Sequence, residues 1–231
     1  MSKRYKIVFT VRLFGYIIFF TGLISTAAVF GPLAKAEAGY RWDNFWGIRR
    51  TLPKIITSSQ DNTQPEQAQQ PGSFGQVQAH ENIISPVSTD FGIVIEKIDA
   101  NAKVIPDVDS TSEKDYVRAL SEGVAHAYGT NYPGEKGNVY LFSHSTDAPW
   151  NIIRFNAIFY LLRELETGDR VIMFYKNRRY DYIVFDKKIV DPSDVQYLKA
   201  KYDQPVLTLQ TCDPPGTLLH RLVVRAKLEG S

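Results

Sequence analysis

The sequence predicts a mostly β fold, a barrel or sandwich with short inserted helices, preceded by one membrane-spanning helix. Many short apolar runs rich in β-branched and aromatic residues lie between residues 86 and 228, separated by turn signals. Helical patterns in that part are few and short, which favours a β architecture. Residues 86–231 are enough for one sizeable core.

An uncharged run of 21 residues, LFGYIIFFTGLISTAAVFGPL (Leu13–Leu33), lies near the N-terminus. As a helix it would span roughly 30 Å, the thickness of a bilayer's hydrocarbon core. A cleaved signal peptide is the alternative, because Ala34 to Ala38 resembles small-x-small cleavage sites. The length of the run and the aromatic residues that follow favour an uncleaved anchor with its N-terminus inside. Those residues are Tyr40, Trp42, Phe45 and Trp46.

Residues 57–85 are rich in Gln, Ser, Gly and Pro and nearly free of large aliphatic side chains. Such a composition cannot bury enough apolar surface to offset chain entropy, so we expect a flexible tether reaching roughly 30 Å. The predicted organisation is therefore a cytoplasmic tail and anchor (1–34), an interfacial segment and linker (35–85), and a folded domain (86–231).

Within the folded domain, strands are expected at 91–98, 101–105, 137–142, 205–211 and 222–228, and a hairpin at 171–176 and 180–188 across residues 177–179. Ser110 and Glu113 fit a capping box for a short helix ending near Gly123, with Val124 on its apolar face. The best remaining helix candidate runs from Ile152 to Leu165.

Charge and cysteine content exclude several classes of protein. A balance of 27 basic to 25 acidic side chains gives no case for nucleic-acid binding. One cysteine forbids an intrachain disulfide and a cysteine-based zinc site. The chain also has no P-loop, no GxGxxG after a strand and no His/Asp/Glu cluster with metal-ligand spacing. No cofactor or metal is predicted.

Cys212 and His144 each follow an apolar strand and precede a polar loop. A free thiol is mostly protonated at neutral pH, and a nearby imidazole can stabilise the thiolate and later protonate a leaving amine. The competing readings are a buried packing cysteine and a hydrogen-bonded surface histidine.

Arg221 begins the last predicted strand. If the strands flanking the Cys212 loop are antiparallel neighbours, Arg221 returns close to Cys212, where a guanidinium can stabilise an oxyanion or hold a substrate carbonyl. Arg225 lies four residues along and has the same polarity, so spacing does not choose between them. The position of Arg221 next to the loop favours it.

The segment TLQTC (Thr208–Cys212) matches the TLxTC motif of the sortases, and Arg221 with the apolar residues after it resembles their arginine strand. GVAH (Gly123–His126), then Gly129-Thr130, Pro133-Gly134, Gly137-Asn138 and Ser143-His144, resemble the motif series of the smaller classes, often called D or E. The resemblance covers residues 86–228 in order. Ser143 departs from it, because glycine usually precedes the histidine.

This resemblance implies an eight-stranded β-barrel and a membrane-anchored cysteine transpeptidase with an extracytoplasmic catalytic domain. Cys212 would be the nucleophile, His144 the general acid/base and Arg221 the transition-state or substrate arginine, and Thr211 would contact substrate. The implied partners are an LPxTG-like sorting-signal peptide and an amine of the cell wall or a pilus subunit. His126 is interpreted as structural or peripheral, and His220 as a minor competitor.

Other functions fit less well. An L,D-transpeptidase would carry SxGC followed closely by arginine, which the residues around Cys212 lack. A papain-like protease has its cysteine before its histidine in the chain, the reverse of the order here. The alternative from another class is a non-catalytic, membrane-tethered β-domain that binds peptide or wall polymer, with Cys212 buried.

Overall fold

Eight strands close into one barrel, which confirms the predicted mostly β class and the strand number. The computed structural model describes residues 3–48, 51–52, 84–145 and 158–230. The strands are β1 (Phe91–Ile95), β2 (Ala100–Val108), β3 (Val124–Ala127), β4 (Gly137–Phe142), β5 (Arg170–Tyr175), β6 (Arg178–Val190), β7 (Pro205–Asp213) and β8 (His220–Leu228). Around the barrel their order is β1-β2-β3-β4-β7-β8-β6-β5.

Within the described ranges three α-helices accompany the strands: α1 (Lys3–Trp46), α2 (Glu113–Glu122) and α3 (Gln196–Lys199). A 3-10 helix follows β1 at Glu96–Ile98, where the sequence predicts continued strand, and another spans Leu162–Glu164.

Alternate residues of the strands line the barrel interior. Ile93, Leu141, Leu207 and Leu209 are fully buried in this core. The residues between them point outward, because successive side chains of a strand lie on opposite faces. Part of the outer face is covered as well: Tyr197 of α3 lies against it.

Most neighbouring strands are antiparallel, but β2 pairs with β3, and β4 with β7, in parallel. In the second of these pairs Gly137 lies opposite Pro205 and Phe142 opposite Gln210. The carboxyl ends of β4 and β7 therefore meet at the same edge of the barrel.

The predicted hairpin is present with a shifted turn. β5 and β6 pair antiparallel from Tyr175 opposite Arg178. Lys176 and Asn177 join them with φ values of 50° and 60°. Two consecutive left-handed residues are typical of the type I′ turn, whose twist matches that of the strands. The predicted turn at residues 177–179 is wrong by about one residue.

Helix α2 ends where the sequence predicts, with Gly123 as its C-cap, but it begins at a different residue. Its N-cap is Ser112, whose hydroxyl donates to Asp115 Oδ2 at 2.8 Å. The predicted Ser110–Glu113 capping box is therefore wrong by two residues. Val124 does not extend the helix, because it begins β3, a strand that the apolar pattern did not reveal.

The predicted helix at 152–165 falls partly outside the described residues, which resume at Ile158. From there to Leu165 the chain forms a turn followed by the 3-10 helix at Leu162–Glu164. Leu162 and Leu165 are fully buried in the barrel core. Their apolar character reflects this packing against the barrel rather than a helical stripe.

Helix α1 contains one stretch, Val8–Ala28, that is long and apolar enough to cross a membrane, with a mean hydropathy of 1.8. Its length and composition suit an anchor or a signal sequence. The helix continues to Trp46 and ends in a Schellman motif at Gly47, which has φ +66°. Ile48 N–H donates to the Asp43 carbonyl at 2.8 Å and Gly47 N–H to the Asn44 carbonyl at 3.4 Å.

Candidate active site

The ends of three adjacent strands bring Cys212, His144 and Arg221 to one edge of the barrel. β7 and β8 pair antiparallel with Cys212 directly opposite Arg221. On the other side of β7, Phe142 of β4 lies opposite Gln210, and Ser143 N–H donates to the Gln210 carbonyl at 3.2 Å. This bond carries the alignment one residue past the end of β4, and His144 is the next residue, so we infer that it lies near the level of Cys212. Strands so paired lie about 4.8 Å apart.

Side-chain alternation puts Cys212 and Arg221 on the same, outer face. Leu209 of β7 and Leu222 of β8 point into the core. Cys212 and Arg221 have the opposite parity and therefore project outward. His144 shares the parity of the outward-facing Tyr140, whose ring lies in the cluster around α3. Cys212 and His144 are half-buried, so neither is sealed in the interior.

The structure separates the two candidate arginines. Arg225 lies opposite Thr208, well below Cys212 on the strand. Its guanidinium donates to Asp186 Oδ2 at 2.6 and 2.9 Å and to Tyr202 Oη at 3.1 Å. The rings of Phe185 and Tyr197 lie 5.1 and 5.4 Å from its carbon. These contacts give Arg225 a structural role.

Arg221 makes weaker contacts, with Nη1 donating to the carbonyl oxygens of Leu218 at 3.5 Å and His220 at 3.2 Å. In the described part of the chain no carboxylate forms an ion pair with it. Its charge reaches the hydroxyl of Tyr140 on the outer face, where burial raises the pKa of Tyr140 and the Arg221 charge opposes that rise. The Arg221 guanidinium thus lies on the same face as Cys212, and no carboxylate among the described residues neutralises its charge.

Thr211, the predicted substrate-contacting residue, is 4% exposed and points toward the interior. Its hydroxyl donates to the Ser143 carbonyl at 2.9 Å. This bond joins the residue before Cys212 to the residue before His144, so it fixes the two strand ends relative to each other. Any contact of Thr211 with substrate would have to come from its backbone.

His126 is fully buried and hydrogen-bonded on both ring nitrogens. Asp107 N–H donates to Nδ1 at 3.3 Å, so Nε2 carries the proton and donates to the Asn131 carbonyl at 3.0 Å. Burial lowers the pKa of His126, against the raising effects of the Asn131 bond and of the Asp107 and Glu135 charges. A neutral, fixed imidazole inside the barrel wall agrees with the structural interpretation.

His220, the minor competitor, is exposed and lies opposite Asp213. Strand alternation gives it the parity opposite to that of Arg221, so it projects away from the face that carries Cys212. Its charge contributes to a lowered pKa of Asp191, after the larger effect of the hydrogen bonds from Ser193.

Tyr140 and Gln210 form a polar pair beside the site that the sequence analysis did not single out. Tyr140 Oη donates to Gln210 Oε1, and this directs the amide nitrogen of Gln210 away from the buried tyrosine. Gln210 is half-buried, on the same face as Cys212 and two residues before it. Gln210 occupies the variable position of TLxTC, so the motif does not mark it as functional. Strand alternation alone would have placed it on the same face as Cys212.

A metal site is not apparent near these residues. Over the described ranges, no group of three or more His, Cys, Asp and Glu side chains could hold a metal ion. The chemistry available at the strand ends is that of a thiol, an imidazole and a guanidinium.

Residues 93–229, more than half of the chain, match the family model described as "Sortase domain". The chain belongs to the sortase family. Sortases are cysteine transpeptidases, and the matched range contains Cys212, His144 and Arg221.

Individual sortases are similar to the chain at modest identity. Sortase D of Bacillus subtilis is 29% identical over 120 residues, covering 52% of each protein. The chain thus spans about half the length of this curated relative.

Among solved structures, sortase C-1 of Actinomyces oris is 27% identical with a TM-score of 0.52, covering 63% of this chain and 76% of that one. A Clostridium perfringens sortase D5 transpeptidase is 24% identical with a TM-score of 0.51, covering 64% and 82%. The second likeness supports the barrel fold alone.

Proposed function

We propose that this sortase is a membrane-anchored cysteine transpeptidase that cleaves an LPxTG-like sorting signal and transfers the acyl group to an amine of the cell wall or a pilus subunit. One observation carries the proposal: Cys212 lies opposite Arg221, and the end of β4, two residues before His144, lies beside Gln210 at the same edge of a barrel of this family. The apolar stretch Val8–Ala28 supports the anchor, and we propose that the barrel lies on the extracytoplasmic side.

The proposed reaction has two acyl-transfer steps. The Cys212 thiolate attacks the scissile carbonyl, an Sγ–C bond forms, and the C–N bond breaks as His144 gives its proton to the leaving amine. The acceptor amine then attacks the thioester carbonyl, passes a proton to His144 and releases the thiolate. Arg221 stabilises the oxyanion of each tetrahedral intermediate.

The outer face beside Cys212 supports a peptide-binding groove. Gln210 lies between Phe142 of β4 and Val223 of β8, and Val223 packs with Tyr197 of α3. We propose that the peptide runs along this face and that the Gln210 amide donates to one of its oxygen atoms.

The test is mass spectrometry of the full-length protein in detergent, incubated with LPxTG-like peptides and a glycine-based amine. A thioester on Cys212 and a released transfer product are expected from the wild type. Cys212→Ala should form no adduct while keeping the fold, and His144→Ala should lose most activity.

Two negative results have different meanings. If no adduct forms and Cys212 also resists alkylation in the folded protein, the proposed enzymatic function is refuted in favour of the non-catalytic binding domain. No adduct with a readily alkylated Cys212 would retain the thiol chemistry and reject the LPxTG-like substrate class.

A further inference from the structure

Two segments on either side of residues 53–83 lie next to each other on the barrel surface. Ile84 N–H donates to the Thr51 carbonyl at 3.1 Å, and Leu52 N–H donates to Glu96 Oε1 at 2.6 Å. Leu52 is 8% and Ile84 6% exposed. We call Thr51, Leu52 and Ile84 the docking clip.

The docking clip covers an apolar patch on the outer face of β1 and β5. Leu52 and Ile84 form one buried cluster with Val94, Ile172 and Phe174. Val94 and Ile172 are strand partners and are both 0% exposed, although they point away from the barrel core. Without the docking clip this patch would face solvent.

The chain after Ile84 stays fixed to the same wall. Asn101 of β2 donates from Nδ2 to the Ser85 carbonyl at 2.7 Å and accepts from Val87 N–H at 2.9 Å. A Cβ at Gly92 would lie 2.1 Å from the Ser88 carbonyl oxygen, so only glycine there lets the segment pass so closely. The contact is therefore built into the sequence of β1 and β2.

The wall that the docking clip occupies is the one farthest from the candidate active site. In the closed order β1-β2-β3-β4-β7-β8-β6-β5, the β1–β5 seam lies diametrically opposite the β4–β7 seam. Cys212 and His144 are at the end of that second seam.

The docking clip also limits how far the barrel can lie from α1. α1 ends at Trp46, and its capping turn runs to Ile48, which is three peptide units before Thr51. Three trans peptide units span at most about 11 Å. A free coil over the whole Gln-rich stretch would instead give an average reach of roughly 30 Å.

We propose that the outer face of β1 and β5 is an intramolecular docking surface for the membrane-proximal segment. Docking sets the spacing and orientation of the barrel relative to α1 and turns the Cys212 edge away from the docked segment. Because Leu52 and Ile84 lie next to each other on the barrel, the length of the chain between them does not set the spacing between α1 and the barrel.

The first experiment is a cross-link in the full-length protein, in the Cys212→Ala background. Leu52→Cys with Ile84→Cys, whose side chains share one buried cluster, should form a disulfide under mild oxidation, both in the parent chain and when residues 53–83 are replaced by a short Gly–Ser loop. The control pair, Leu52→Cys with Tyr128→Cys, should stay reduced. Failure of the first pair to cross-link in a folded chain would overturn the proposal.

The second experiment places a carboxylate in the docking clip, where it would lie against the apolar patch. Leu52→Asp should lower the melting temperature and speed proteolysis between residues 52 and 84, while the rate of Cys212 alkylation stays unchanged. Val87→Asp, at a position 63% exposed in the same segment, should do neither. Equal effects of the two substitutions would refute the docking surface. Because neither experiment measures transpeptidation, both are independent of the proposed function.

Discussion

Replacement of Arg221 by alanine should lower kcat/KM by about 10²–10³-fold and leave the barrel folded. The strand register puts Arg221 opposite Cys212, on the strand next to the one that carries the thiol, where a carbonyl attacked by that thiol would develop its oxyanion. A unit charge about 4 Å away contributes roughly 4 kcal/mol at an effective dielectric constant near 20. Removal of one oxyanion-hole donor typically costs about 2.7–4 kcal/mol, which sets the expected loss.

Arg221→Lys should fall between the wild type and Arg221→Ala, because lysine keeps the charge but loses the planar fork of donors. The assay is transfer of a fluorogenic peptide onto an amine, with folding checked by circular dichroism. Rates should be compared per folded molecule.

Arg225→Ala is the matched control on the same strand and face. It removes the partner of the Asp186 carboxylate, whose side chain is 22% exposed, so we expect a loss of about 1–3 kcal/mol in unfolding free energy. Activity per folded molecule should stay near that of the wild type. If Arg221→Ala keeps its activity while folded Arg225→Ala loses it, the assignment of Arg221 is refuted.

Three further predictions concern the neighbours of the site and the barrel wall. Thr211→Val leaves the Ser143 carbonyl without its hydroxyl donor and should cost about 1–3 kcal/mol by chemical denaturation; Thr211→Ser should be close to the wild type, and an equal loss in both would contradict the bond's role. Gln210→Leu should change the ranking of peptides by kcat/KM at unchanged melting temperature, whereas a uniform loss over all peptides would speak against recognition by the amide. Stability should fall as the pH drops below about 6.5, because burial lowers the pKa of His126 and the unfolded chain then binds the proton more readily. His126→Gln should flatten this slope in urea titrations between pH 7 and 5, and an unchanged slope would assign the dependence to other groups.

The strands could be predicted because most are bounded by turn residues and rich in β-branched side chains. The β7 and β8 segments fit this pattern. β3 could not be found in this way, since its four residues, Val124–Ala127, include a buried histidine whose ring nitrogens are hydrogen-bonded by Asp107, Asn131 and Thr130. The predicted start of α2 was two residues too early because the sequence allows a serine cap at either 110 or 112. The hydrogen bond between Ser112 and Asp115 is formed only in the structure.

The candidate site was predictable in composition but only partly in geometry. The predicted position of Arg221 depended on antiparallel pairing of β7 and β8. The short loop between the two strands favours this pairing, and the observed register confirms it. The structural role of Arg225 depends on Asp186 and Tyr202, which lie on β6 and in the loop before β7. No local pattern links these residues, so the sequence could not distinguish the two arginines by their partners.

The parallel pairing of β4 and β7 is what brings the ends of two strands far apart in the chain, and with them His144 and Cys212, to one edge of the barrel. β4 is six residues long and therefore extends about 20 Å. Were its direction reversed against β7, the residues after Phe142 would lie at the opposite edge of the barrel, beyond the reach of a thiol. An antiparallel hairpin can return a chain to its starting edge, as β8 does for Arg221, but it cannot place two carboxyl ends together. The site thus requires β7 to pair in parallel with β4 on one side and antiparallel with β8 on the other, and the mixed barrel contains both pairs.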